Sequence, residues 1–446
     1  MKRIFFCLLV STWLGVTSGG AEAPPAYSLE ALVERALEYG GAMEEARWRF
    51  AGARADYRKK RASRFLPRLR LESENGLVPD AEGDIFNPPS DTSGLRPLGP
   101  FHRSELEFVQ PLYAFGRFSS LGRAAQQGFA VEQATFDEDR LDLILEVKGF
   151  YYNLLLARDL NDLVQRLARR IAKEQESLEA AETASLVNQF KLELSLLELQ
   201  ARQREAELKL DLAGAALRWK VGLPADASLN LQAEWLEPLA VAVPALDTLV
   251  EQARTQRPDW RMLQAGIAAR HALLDASRQA FLPQIYVGGG IRYALTPGRT
   301  DQRNPFVKDE FNYFRFGAFL GFRQDLEWGQ MRAEVAKSKA EFMELKAKEK
   351  DAREGIRIDV QNTYVDYQQA ETELRRSTQA RKLTRQWLRL AQDEYELTEE
   401  FADLIAAFPA LAQAEQEYIE AVHAFNMSLA HLERATGGMA FAPQSP

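Results

Sequence analysis

Two periodicities alternate along the chain. Between about 117 and 182, Leu141, Ile144, Leu145, Phe150, Leu154, Leu160, Leu163, Val164, Leu167 and Ile171 recur at threes and fours, which predicts one stripe of a very long helix. Ile356, Val360, Tyr364, Tyr367, Leu374, Leu383, Leu388 and Tyr395 predict a second such helix near 330 to 397. Neither run contains a proline, and about 66 residues at 1.5 Å each extend roughly 100 Å. A rod of that length cannot be hidden in a compact domain. Its polar faces are dense in Glu, Lys, Arg and Gln, so lateral coiled-coil packing is the expected way to cover the stripe.

Between helices the period drops to two. In Arg68-Leu69-Arg70-Leu71-Glu72 and Glu105-Leu106-Glu107-Phe108 charged and apolar residues alternate, giving strands with one oily and one charged face. Later, Ile285, Val287, Ile291 and Tyr293 share a face, as do Phe316, Ala318, Leu320 and Phe322, and Arg315 and Arg323 bracket the opposite face of that last strand. A soluble antiparallel sheet on a core alternates in the same way. Two features favour a membrane barrel instead: the aromatics Tyr113, Phe115, Phe118, Phe311, Tyr313 and Phe314 flank the oily faces as a girdle does, and the charged faces need a wet space. Four strands per chain cannot close, and an open edge in lipid leaves backbone groups unpaired, so oligomerisation is required. Two chains would give eight strands and a filled interior, and three would give twelve and an opening.

The whole arrangement is written twice. Leu32-Val33-Glu34 matches Leu249-Val250-Glu251, Phe65-Leu66-Pro67 matches Phe281-Leu282-Pro283, Gln110-Pro111-Leu112 with Gly116 matches Gln324-Asp325-Leu326 with Gly329, Val147 and Tyr151 match Val360 and Tyr364, and Val221-Gly222 matches Thr436-Gly437, all at shifts of 213 to 217 residues. The expected fold is mainly α with membrane β-strands. Each of two tandem repeats predicts a helix of about 35 residues (28 to 63; 246 to 280), two strands, a very long helix and a returning one (188 to 220; 402 to 436). The resulting divisions are a signal peptide (1–23), a first repeat (24–222), a linker (223–245), a second repeat (246–437) and a tail (438–446). Loops near 76 to 103 and 296 to 311, with Asn87-Pro88-Pro89 and Thr296-Pro297-Gly298, are the expected outer loops.

Charge and cysteine narrow the class. A formal charge of −8 argues against a nucleic-acid binder, which carries a basic surplus or stripe. Lys2 and Arg3, the apolar run Ile4 to Val16 and the small residues Thr17 to Ala21 read as a secretory signal, with cleavage after Ala23, Gly20 or Ala21. The single cysteine, Cys7, falls inside it, so a mature chain would have no disulfide and no thiolate metal site. No later stretch has about eighteen uninterrupted apolar residues, so any membrane passage is expected as strands.

These residues, with Ser28-Leu29-Glu30-Ala31-Leu32, Gln110-Pro111-Leu112-Tyr113, Gly116-Arg117, Val147 to Tyr152 and Leu432 to Gly437, resemble the TolC family of outer-membrane efflux proteins over some 410 residues. The resemblance implies a homotrimer with a twelve-stranded β-barrel continuous with a periplasmic helical tunnel. It also implies partners: a periplasmic adaptor (membrane fusion) protein, an inner-membrane pump and outer-membrane lipid. The implied role is passive export, by efflux or type I secretion, and segment 223–243 with the tail from Gly438 would form a belt round the tunnel. Family members usually carry a glycine-containing turn at each helical tip, whereas the tips here read Thr183-Ala184-Ser185-Leu186-Val187-Asn188 and Leu397-Thr398-Glu399-Glu400-Phe401. Pro409 falls inside the last helix, where it is expected to kink it. The competing reading is a soluble periplasmic coiled-coil scaffold or adaptor.

No catalytic constellation, cofactor motif or metal-ligand spacing stands out. His102, His271, His423 and His431 lack HExxH-like spacing, and Gly288-Gly289-Gly290 reads as a bent or closely approached strand. Ser185, Leu186, Asn188, Glu399, Glu400 and Asp403 are the candidate tip or gate residues. Asn188 suits a helix cap, and the acidic residues suit either a cation-favouring ring or the positive end of the returning helix. Arg70, Glu72, Glu105, Glu107, Arg292 and Arg323 are the candidate lumen-lining residues.

Overall fold

A computed structural model describes residues 26–83, 86, 97–180, 186–302, 304–398 and 402–443. The first half runs β1 (Ala26–Tyr27), α1 (Leu29–Tyr39), α2 (Gly41–Phe65), β2 (Arg68–Pro79), β3 (Leu98–Tyr113), α3 (Arg117–Ala180) and α4 (Leu186–Lys220). After β4 (Asn230–Leu231) and β5 (Val241–Ala242) come α5 (Leu246–Gln256), α6 (Pro258–Gln279), β6 (Gln284–Leu295), β7 (Tyr313–Arg323), α7 (Trp328–Thr398), α8 (Ala402–Ala435) and β8 (Ala442–Pro443). At 64 and 71 residues, α3 and α7 are each about 100 Å long. No helix among the described residues is long and apolar enough to cross a membrane.

The expected 35-residue helices are each two helices. The chain goes extended for one residue at Gly40 (ψ 132°) and at Arg257 (ψ 127°), then resumes as α2 and α6. Both breaks have local causes: Gly40-Gly41 is a weak point for helix, and Pro258 pushes the residue before it out of the α region while fitting the first helical position itself. Ser28 opens α1, its Oγ accepting from the Ala31 N–H at 3.2 Å. The last helix, α8, is continuous across Pro409.

Some of the residues that mark the duplication lie in the core. Leu32 and Val147 in the first copy, and their matches Leu249 and Val360 in the second, are completely buried, as are Leu217 and Leu432. They sit in two apolar clusters, one joining α1, α3 and α4, the other joining α5, α7 and α8. Each fully buried Leu or Val contributes roughly 1.5–3 kcal/mol through removal from water, so the repeat survives where its loss would be most costly. The ends match too. At Gly222 (φ +68°) the Leu223 N–H donates to Arg218 O at 2.8 Å, and at Gly437 (φ +90°) the Gly438 N–H donates to Glu433 O at 2.8 Å, the same left-handed helix stop.

The linker is laid across the helices rather than left loose. β1 pairs in parallel with β4, and β5 pairs antiparallel with β8, so both termini of the described chain are tied to the linker. Buried Asp159 of α3 accepts from the Leu236 N–H at 3.0 Å. Buried Asn426 of α8 accepts from the Leu239 N–H at 3.0 Å and donates to Glu237 O at 2.8 Å.

Candidate functional site

The strands form one antiparallel sheet in the order β2-β3-β6-β7, mixing hairpins from the two repeats. Register fixes the faces, because residues directly opposite each other share one. Arg70 lies opposite Glu107, and Glu72 opposite Glu105, which in turn faces Arg292 and then Arg315. Five of the six charged residues singled out from the sequence are therefore brought together on one face. Arg292 holds Glu105 and Glu107, the latter at 3.1 Å, and Arg70 contacts Glu72. The sixth, Arg323, is on the same face at the foot of β7, opposite Gln284, with its guanidinium 5.5 Å from the Tyr286 ring centre.

The other face carries Leu69 and Leu71, Leu106 and Phe108, Val287 and Ile291, Phe316, Leu320 and Phe322. It is uncovered: Leu71, Phe316, Leu320 and Phe322 are each more than 70% exposed. Among the described residues, no helix lies on this face to give it a soluble core. Its upper end turns polar, where His102 meets Asn75 at 2.7 Å and Ser104 at 2.9 Å. Of the expected aromatic girdle, Tyr113, Phe115 and Phe314 are exposed beside the oily face. Tyr313 instead lies on the charged face under Arg315, and Phe118 lines a hollow at the strand feet. Phe311 lies in the outer loop beneath Arg299, at 3.7 Å. Sequence spacing alone could not separate these, since a strand end gives no register. The glycine run is closely approached: the Phe319 ring lies over Gly288 and the Phe108 ring over Gly289.

The second outer loop is ordered around Asp309. This carboxylate accepts from the N–H groups of Gln302 at 2.9 Å, Phe311 at 2.8 Å and Asn312 at 2.9 Å. Burial alone would raise its pKa, but these hydrogen bonds and Arg315 outweigh it and hold it below the usual carboxylate range. Arg299 donates to Pro79 O at 3.0 Å and ties this loop to the end of β2.

The tip candidates are placed differently. Ser185, Glu399 and Glu400 lie outside the described residues, as does the predicted signal peptide. Leu186 and Asn188 belong to the first turn of α4, and Asp403 to the first turn of α8. Among the described residues no group of three or more His, Cys, Asp or Glu could hold a metal ion.

Comparison with known proteins fits this arrangement. Residues 249–438 match the family model described as outer membrane efflux protein. The chain is 24% identical over 275 residues to the cation efflux system protein CusC of Escherichia coli O157:H7, covering 60% of this chain and 55% of that protein. Among solved structures, the open-state MtrE outer membrane channel of Neisseria gonorrhoeae superposes with a TM-score of 0.74 at 20% identity, covering 94% of this chain and 91% of that one. The outer-membrane channel OprN gives 0.73 at 18% identity, covering 92% and 90%. At such identities the superpositions establish the fold, and they do so along nearly the whole chain. The family model lies on the second copy of a duplicated chain whose first copy repeats the same elements, and in sequence and fold the chain is thus similar to the outer-membrane efflux proteins.

Proposed function

We propose that three copies of the chain assemble into a conduit that passively carries substrates outward from an inner-membrane pump and periplasmic adaptor. The observation that carries this reading is the free-standing sheet: an uncovered oily face, a charged opposite face, and two edges, β2 and β7, with no strand partner among the described residues. In lipid such edges are tolerable only if they pair, and the smallest ring that leaves a passage has twelve strands. The helices support the same assembly. Leu208, Leu212 and Trp219 fall on one side of α4 and are largely exposed, which marks a surface for a neighbouring copy. In this assembly the charged face with Arg70, Glu72, Glu105, Glu107, Arg292 and Arg323 lines the lumen, and the chain's role is conduction rather than catalysis.

Membrane fractionation followed by native mass spectrometry tests the reading. The expected result is outer-membrane recovery and a mass of three chains; a soluble periplasmic monomer would overturn it. At the far end, Glu399, Glu400 and Asp403 have two candidate roles, an acidic ring at a narrow mouth or favourable charge at the start of α8. Single-channel selectivity of E399K/E400K separates them, because only the ring predicts weakened cation preference.

A further inference from the structure

The charged face does not keep one character along its length. Midway up the sheet its ions are paired, Arg292 with Glu105 and Glu107 and Arg70 with Glu72. At the periplasmic foot the balance fails. A hollow of about 1070 Å³ opens there between the strand ends, α2 and the first turns of α3. Every strand residue lining it lies on the charged face, so it is the downward continuation of the surface assigned to the lumen.

Arg61, Arg68, Arg117 and Arg323 line this hollow, and none has a carboxylate partner among the described residues. The only acidic side chains in the lining are Asp56 and Glu132. Helix-end electrostatics account for Arg61, near the negative end of α2, but not for the others. Arg68 and Arg323 stand on strands, and Arg117 is the first residue of α3, where the helix's own partial positive charge disfavours a further cation. Closing the barrel would add to the imbalance. β2 starts at Arg68 and β7 ends at Arg323, so both edges reach the same foot, and joining edge to edge sets like charges side by side at each seam.

We propose that this neck between sheet and helices is a binding site for polyvalent anions passing through the lumen. The inference rests on the conduit reading for its setting and on the guanidinium cluster for its chemistry. Unpaired guanidiniums round a water-filled constriction favour anions as rings of Arg and Lys do in anion pores, and they bind oxyanions or cyano-anions through forked N–H donors.

The test uses the full-length protein in planar bilayers, with hexacyanoferrate(II) added from the barrel side and hexaamminecobalt(III) as the cation control, at fixed ionic strength. Block is read as a fraction of each variant's own conductance. The expected result is block by the anion that weakens on the order of tenfold in R68Q/R323Q and is largely retained in R68K/R323K, while any block by the cation does not weaken in either variant. Equal anion block in R68Q/R323Q and the unaltered protein, or a cobalt block that weakens in parallel with it, would overturn the site. Calorimetric titration of the detergent-solubilised protein with hexacyanoferrate separates the two readings. No binding to the unaltered protein removes the anion site even if the channel conducts, whereas binding without any conductance steps removes only the conduit.

Discussion

Two buried polar side chains give the clearest tests at the scale of single residues. Asp159 accepts one hydrogen bond from the linker, yet burial raises its pKa more than the Leu236 N–H and the neighbouring arginines lower it. A raised carboxyl pKa means that the folded chain binds the proton more tightly than the unfolded one, so the ionised group costs stability as pH rises through the folded value. D159N keeps the acceptor and removes the charge. Its melting temperature in detergent is expected to equal or exceed that of the unaltered protein at neutral pH, and D159A should lose about 1 kcal/mol by orphaning the Leu236 N–H. Arg257 behaves in the opposite way. Nearly buried, it holds Asp259 at 2.8 Å and Asp359 at 2.5 Å and donates to Ala435 O at 3.2 Å, stitching the α5–α6 break to α7 and α8. Burial would raise the Asp259 pKa, but the Arg257 hydrogen bonds and charge outweigh it and lower it. The stabilisation from that pair is therefore complete above the ordinary carboxylate range and lost as pH falls through the depressed value. R257A removes the cation from two half-exposed carboxylates and the donor from Ala435 O, and thermal melts should show a loss of about 1–3 kcal/mol. R257K, lacking the fork, should recover only part of it.

At the scale of elements, the helix stops behind the duplication are open to test. Gly222 and Gly437 have positive φ, and a methyl group on either would press on backbone: Tyr39 O at 2.8 Å in one case, the Gln256 carbonyl carbon at 2.8 Å in the other. G222A and G437A should each cost about 1–2 kcal/mol, seen as faster proteolysis at the helix end and a lower melting temperature. The sequence made most of this level legible, because period and packing are tied. The 3.6-residue stripe of α3 points into its neighbours, and the alternation in β2 and β3 is set by the two faces of a strand. It was less legible where tertiary context decides. Each entry helix was read as one because its apolar pattern continues past Gly40 and Arg257, although Gly40-Gly41 and Arg257-Pro258 carried the signal. Leu383 fits the α7 stripe by spacing but is mostly exposed in the single chain. The partnership of Arg292 with both Glu105 and Glu107 could not be read at all, since it depends on the register between strands 185 or more residues apart.

For the whole molecule, the two faces of the sheet should respond oppositely to charge. F316R places a cation on the oily face, where near a bilayer's middle it costs about 2–4 kcal/mol per copy, and assembled protein in outer-membrane fractions should fall sharply. R70Q, on the charged face, should assemble normally. Equal yields for the two variants would contradict the assignment of faces. The basic hollow at the sheet's foot was invisible from the sequence for a related reason. Arg61, Arg68, Arg117 and Arg323 are scattered over more than half the chain, and only the sheet order brings the first and last strands round to one end.

The two unpartnered strand edges also bear on how the protein is made. If the chain assembles as proposed, then until its copies meet each one exposes sticky borders and a greasy surface to water, the condition in which β-rich intermediates clump. Its helices can coil early from contacts close in sequence, whereas the sheet has to wait for company. In that assembly the hazardous interval is the time before the copies join, and a holding chaperone would be needed for yield rather than for the final shape.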